Sequence, residues 1–153
     1  MKRILLPVLL VAHMLATAAT LQPGDPVPAI NLKDQHEKPV AIAPDTRLIF
    51  FTAEMDGSRL MTNALATLPA TSLKDRKAVY IADISDMPGL VSSVFAVPKM
   101  QKEAYTVALT RDAKDTASLP RKLGAVTVLK VEGGKVSAVD FAQDVKELHR
   151  HLK

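Results

Sequence analysis

Apolar and polar residues alternate in two short runs, Ile30-Asn31-Leu32 and Val40-Ala41-Ile42, separated by the polar stretch 33–38, a pattern that predicts a small hairpin. Residues 47–52 (RLIFFT) and 78–84 (AVYIADI) are instead continuous apolar runs, as expected of strands buried on both faces. Between them Leu60, Met61, Ala64, Leu65 and Leu68 recur at helical spacing and stop at Pro69, so a helix is expected to join the two strands. Residues 89–103 carry a second helical pattern that Pro98 should break or kink. Residues 105–109 (YTVAL) predict a third strand, 111–114 a turn, and 118–123 a short helix whose first turn accepts Pro120.

Two further apolar runs, 126–131 and 135–139, flank Glu132-Gly133-Gly134, and adjacent glycines between strands mark a tight hairpin whose turn demands positive φ. Phe141, Val145, Leu148 and Leu152 then predict an amphipathic terminal helix. Upstream, Pro23, Pro26 and Pro28 hold 21–28 extended. Strand–helix–strand units followed by a hairpin and a helix specify an α/β fold, a central mixed sheet covered on both sides. Neither an internal repeat nor a linker interrupts the pattern, and one domain is expected over 19–153.

The first residues follow different rules. Lys2 and Arg3 precede an apolar stretch, 4–15, interrupted only by His13, and Ala16-Thr17-Ala18 supplies the small-x-small exit that a signal peptidase accepts. The apolar stretch is much shorter than the roughly 20 residues a membrane-spanning helix needs. Residues 1–18 are therefore read as a signal peptide cleaved after Ala18. The expected location is periplasmic or secreted, with no stable membrane anchor after cleavage.

Composition narrows the chemistry. The 153 residues include no cysteine and no tryptophan, which removes disulfides, thiol nucleophiles, Cys-based zinc sites and iron–sulfur clusters. The net charge of +4 falls once Lys2 and Arg3 are removed, and the remaining charges are mixed in sign. With no basic stripe and only Tyr80, Tyr105 and four Phe for stacking, a nucleic-acid partner is not expected.

A family resemblance follows from the order of several loose motifs. Residues 21–34 (LQPGDPVPAINLKD) place G-x-x-x-P before a short strand and an Asp, and 48–59 (LIFFTAEMDGSR) run strand, loop and first helical turn. Residues 105–125 resemble a third strand, an aspartate turn and the helix before the return hairpin; 124–129 (GAVTVL) resemble a G-x-P-T segment except at the proline, and 133–136 (GGKV) the hairpin turn after it. In this order the chain resembles the thioredoxin-like superfamily, in its exported thiol–disulfide oxidoreductase and peroxiredoxin-like branch. The resemblance implies a thioredoxin-like fold with an N-terminal β-hairpin.

The departures from that family decide the chemistry. Met55 and Ser58 stand where the family places the two cysteines of C-x-x-C, with Asp56 and Gly57 between them and Arg59 after, and Val126 stands where it places a cis-proline. A thioether has no proton to lose and forms no mixed disulfide, and a serine hydroxyl ionises far above a thiol. A cis bond before Val126 would cost about 2.5–4 kcal/mol. Thiol redox and cysteine peroxidase chemistry are therefore not expected, and Thr52 offers no substitute. By composition Asp56 should cap the helix and Glu54 should be solvated.

Weaker constellations carry no site. His149 and His151 are two apart on a helix and diverge, and His36 leaves too few ligands for a metal. Met55, Met61, Met87 and Met100 would hold Cu(I) only if they converged, and are read as core filler. Asp83 and Asp86 close the second strand, with Asp86 expected to cap the next helix. No serine triad, phosphate loop or dinucleotide fingerprint occurs.

Two readings follow. The favoured one is a non-catalytic binding or accessory module for an exported protein or extended peptide, without a cofactor. Its surface would be Met55, Asp56, Gly57, Ser58 and Arg59 beside Ala125, Val126 and Thr127, whose backbone the resemblance implies could pair with a peptide. The alternative is an enzyme using flavin or a metal at the sheet's carboxyl edge.

Overall fold

A computed structural model of the chain describes residues 19–153, and the expected signal peptide, 1–18, lies outside them. Seven strands form one sheet: β1 (Asn31–Asp34), β2 (Pro39–Ala41), β3 (Leu48–Thr52), β4 (Ala78–Asp83), β5 (Ala108–Thr110), β6 (Val126–Glu132) and β7 (Lys135–Ala142), in the order β2-β1-β5-β4-β3-β6-β7. β3, β4 and β5 are mutually parallel, whereas the hairpins β1–β2 and β6–β7 pair antiparallel at either end. The expected mixed α/β sheet with an N-terminal hairpin is present.

The continuous apolar runs became the central strands because both faces of the sheet are covered. Phe50, Tyr80 and Val128 point to one face, with Met61, Ala64 and Leu65 of α1 (Met55–Leu65) and Leu148 and Leu152 of α5 (Val145–Leu152). Ile49, Phe51, Ile81 and Leu129 point to the other, where Leu21, Ile30 and Leu119 close over them. The period of two along each strand thus feeds two separate cores. The proline-rich entry is extended as expected and hydrogen-bonds beside the β6–β7 turn, through Val27 N–H to the Gly134 carbonyl and Gly24 N–H to that of Val136. Gly133 and Gly134 take φ of 56° and 75°, as the tight turn requires.

Four expectations are corrected. Phe141 belongs to β7, paired with Thr127, and the last helix begins only after Asp144, whose carboxylate accepts from the Glu147 N–H. Residues 118–123 are not helical; the short helix is a 3₁₀ turn upstream, Ala113–Thr116, capped by Asp112 through the Lys114 N–H. The third strand is shorter and later than 105–109, because Val107 N–H bonds the Gln35 side chain rather than a strand neighbour. Asp86 is exposed and caps nothing, Pro88 holding the cap position of α3 (Gly89–Val91).

Pro98 does not break the helical segment it sits in. α3 runs through a π-helical turn (Ser92–Ala96) into α4 (Val97–Met100). A proline ring crowds the carbonyl four residues back and cannot donate to it, and the wider turn immediately before Pro98 makes room. The short α2 (Ser72–Asp75) packs beside β4.

Candidate functional site

The parallel strands β3, β4 and β5 all end on one edge of the sheet, at Thr52, Asp83 and Thr110. The antiparallel register Phe51↔Thr127 brings the start of β6 to that same edge. Residues 52–59 and 124–127, distant in sequence, therefore meet there, which is where ligands bind in many open α/β sheets.

Their contact is close. A Cβ built on Gly57 would lie 2.7 Å from the Ala125 carbonyl oxygen, so only glycine lets the first turn of α1 approach that backbone. Glu54 occupies the cap position of α1 but makes no side-chain cap; its carboxylate accepts from the Gly124 N–H and ties the two segments together. Glu54 is thus not merely solvated, and Asp56 is not the cap. Asp56 sits in the first turn and pairs with Arg59 at 3.2 Å, both exposed.

Beneath the loop is a chain of hydroxyls. Ser58 Oγ lies 2.9 Å from Thr52 Oγ1, which in turn lies 3.3 Å from the Tyr80 hydroxyl. Burial pushes the Tyr80 phenol up to about 12, against the opposing effect of its hydroxyl neighbours. Among the described residues Ser58 Oγ has a hydroxyl, that of Thr52, as its side-chain partner and no carboxylate or imidazole. On the far side, buried Asp83 accepts from Arg121 at 2.8 Å and from Thr116, and Arg121 also lies over the Phe51 ring. Burial acts to raise the Asp83 pKa, but hydrogen bonds from Ser85 and the Arg121 guanidinium outweigh it and hold the carboxyl below its usual value. These contacts, with Thr127 Oγ1 donating to the Pro120 carbonyl, pin 116–121 to the sheet edge.

The exposed part of the site differs from the surface read in the sequence. Gly57, Ala125, Val126 and Thr127 are buried, and β6 is paired with β7 from Val126 and with β3 from Thr127. Met55, Asp56 and Arg59 do face outward, and Met55, 59% exposed, stands with Arg59 on a groove of about 360 Å³ between α1 and the helical segment 89–100. Val91, Phe95, Met87, Met100 and Tyr105 line it, and Phe95 is 67% exposed. Larger hollows, of about 570, 620, 610 and 460 Å³, lie around Lys77, beside Pro23, around Arg47 and beside Asp140, and none of the exposed large apolar side chains lines any of these. Sequence reasoning missed the groove because Leu90, Val91, Val94 and Phe95 repeat at helical spacing, which reads equally well as a buried face.

Among the described residues no three His, Cys, Asp or Glu side chains gather as a metal site. His149 instead joins α5 to the end of α1 through Thr67 and the Ala64 carbonyl.

No known family profile matches the sequence, and neither does any curated protein. Solved structures do. A thiol:disulfide interchange protein DsbE, so named from Chlorobium tepidum, superposes with a TM-score of 0.62 at 15% identity, over 87% of this chain and 96% of that one. The fold is thioredoxin-like. The thioredoxin domain of a thiol-disulfide oxidoreductase from Bacteroides vulgatus aligns with a TM-score of 0.54 at 14% identity, covering 88% of this chain and all 100% of that one. A peroxiredoxin-like protein from Aquifex aeolicus aligns at 0.57 and 12% identity, over 89% and 88% of the two chains. Within this thioredoxin-like fold, the loop 54–58 opens α1 at the sheet edge without a thiol, since the chain holds no cysteine.

Proposed function

We propose that this chain is an exported, thioredoxin-like binding module that has no thiol chemistry and holds a protein or peptide partner by its apolar side chains. The observation that carries the reading is the groove beside α1. Its exposed Met55, Val91 and Phe95 are large apolar side chains left in water at the edge of the sheet where ligands of α/β folds bind. The buried state of Val126 and Thr127 moves the expected partner surface outward, from the backbone of 125–127 to this groove. A Met-lined apolar surface adapts to varied side chains, which suits a peptide or protein ligand better than one fixed small molecule. Export is supported by the positive start, short apolar core and small-residue exit of 1–18.

The test is site-specific photo-crosslinking in the exporting cell. A photoreactive side chain at Phe95 should yield one discrete crosslinked partner, absent when it is placed at exposed Glu132 on the distant hairpin. Val91→Ser should weaken that crosslink. Equal labelling from both positions overturns the reading, and so does a flavin or metal ion retained stoichiometrically by the purified chain, which would put a cofactor-dependent enzyme first. The mass of the exported protein tests processing after Ala18.

A further inference from the structure

The groove beside α1 is walled in part by thioethers: Met55, Met87 and Met100 all line it. Their access to solvent is graded. Met55 stands 59% exposed at the mouth, Met87 and Met100 are partly buried against the core under α1, and Met61, behind them, has no exposure at all. Thioether oxidation by peroxides follows access to the sulfur, and the sulfoxide that results is polar where the thioether was apolar.

We infer that Met55 is a reversible oxidation site that controls the groove: as a thioether it completes the apolar mouth, and as a sulfoxide it weakens the hold on apolar ligands. The inference rests on the reading of the groove as a binding site and adds its regulation. In the forward step a lone pair of Met55 Sδ attacks one oxygen of hydrogen peroxide. The O–O bond breaks, an S–O bond forms, and the departing hydroxide takes the proton from that oxygen and leaves as water. Sulfur is oxidised by two electrons and the peroxide is reduced by two. In the reverse step two thiols of an external reductant become a disulfide, and the sulfoxide oxygen departs as water.

Placement makes this methionine the one that matters. Oxidising Met61 would require opening the core, whereas Met55 reacts without unfolding. Facing it across the groove are Val91 and Phe95, whose exposed surfaces are what an apolar ligand would cover. A strong acceptor oxygen placed at that mouth keeps its water, so a ligand that covers it must leave the oxygen unpaired.

The experiment has two readouts on the full exported chain. Limited hydrogen peroxide followed by peptide mapping should oxidise Met55 first, Met87 and Met100 later, and Met61 last, with Met55 at least about tenfold faster than Met61. The neutral apolar dye Nile red then reports on the groove. Its dissociation constant should rise roughly threefold or more on oxidation and recover with methionine sulfoxide reductase and a dithiol. Met55→Leu should abolish the response to peroxide whatever its own affinity. Oxidation of Met87 or Met100 ahead of Met55 overturns the inference, as does dye binding that is equal in reduced and oxidised protein. Dye binding that Phe95→Ser does not weaken overturns the groove reading itself.

Discussion

Two glycines in the first turns of helices should respond in opposite directions to the same substitution. Gly57 is the third residue of α1 and Gly89 the first of α3, and neither has a positive φ. On propensity alone, Gly→Ala at either position should stabilise by up to about 1 kcal/mol, because alanine loses less backbone entropy on folding. At Gly89 nothing lies within 4 Å of the new Cβ, so Gly89→Ala should keep that gain, about 0.5 kcal/mol or more.

At Gly57 the new Cβ meets the Ala125 carbonyl oxygen at 2.7 Å, ~0.7 Å inside the 3.4 Å at which ordinary contact begins. Neither side yields easily. The obstacle is backbone, Val126 beyond it is fully buried in the sheet, and Glu54 ties Gly124 to the start of α1. Such overpacking costs about 1–3 kcal/mol, which exceeds the propensity gain and leaves Gly57→Ala destabilised by about 1–2 kcal/mol. With roughly 3–5 °C per kcal/mol for a domain of this size, the two variants should melt about 5–10 °C apart, on opposite sides of the wild type. Far-UV circular dichroism against temperature and urea measures both, with equal m values confirming that the native states are comparable. Should Gly57→Ala be as stable as Gly89→Ala, the close approach of α1 to Ala125 is wrong, and with it the geometry of the whole sheet-edge site.

Two further predictions concern the same edge. Met55→Cys with Ser58→Cys puts two thiols three residues apart on one face of the first turn of α1, so a mild oxidant should convert both to a disulfide, counted by free-thiol labelling and mass; the thiol at position 55, on a helix N-terminus, should ionise below the ordinary value of about 8.5. Two persistently free thiols would refute the placement of the loop. Arg121→Gln leaves the Asp83 carboxylate buried without its guanidinium and should destabilise the chain by about 2 kcal/mol at neutral pH, measured by urea unfolding. Because the folded-state pKa of Asp83 is depressed, its contribution is full above the ordinary carboxylate value of 3.8 and is lost as pH falls toward the lower folded value. Asp83→Asn should therefore flatten the acid limb below about pH 4 relative to wild type, and an unchanged limb would sink the assignment.

The parts of the fold that could be read in the sequence are those where one local pattern had one meaning. RLIFFT and AVYIADI are too short for buried helices and too apolar for surface strands, and both became central strands. Gly133-Gly134 between apolar runs left little but a hairpin. Misreadings arose where one pattern fits two periods. Phe141 is two residues from Val139 and four from Val145, so it suits β7 and α5 alike; the tie is broken by Asp144, which caps α5 and forces the helix to start after it. The segment 113–123 has no period at all. Its shape is set by Asp83, some thirty residues upstream, through Thr116 and Arg121, and a local reading contains no such term.

For the site the same reasoning separates what a pattern can say from what only packing decides. The resemblance placed Met55–Ser58 beside Ala125–Val126, and the structure joins them through Gly57 and Glu54. Which of those residues a partner could touch was not in the pattern. Val126 and Thr127 look available when the site is imagined as a family feature, yet they are consumed by β3, β7 and the Pro120 carbonyl. Leu90, Val91, Val94 and Phe95 look like core when read by helical period, yet nothing covers them among the described residues. A polar substitution would remove that exposed apolar surface at no cost to packing, whereas the hydroxyl chain Ser58–Thr52–Tyr80 below the loop needs every member to stay satisfied. The loop, which holds no thiol, thus closes over an interior sealed by ordinary hydrogen bonds, whereas Leu90, Val94 and Phe95 leave most of their apolar surface in water. That separation is why binding should be sought where the surface of α3 and the π-turn after it faces Met55, rather than at the buried backbone of 125–127.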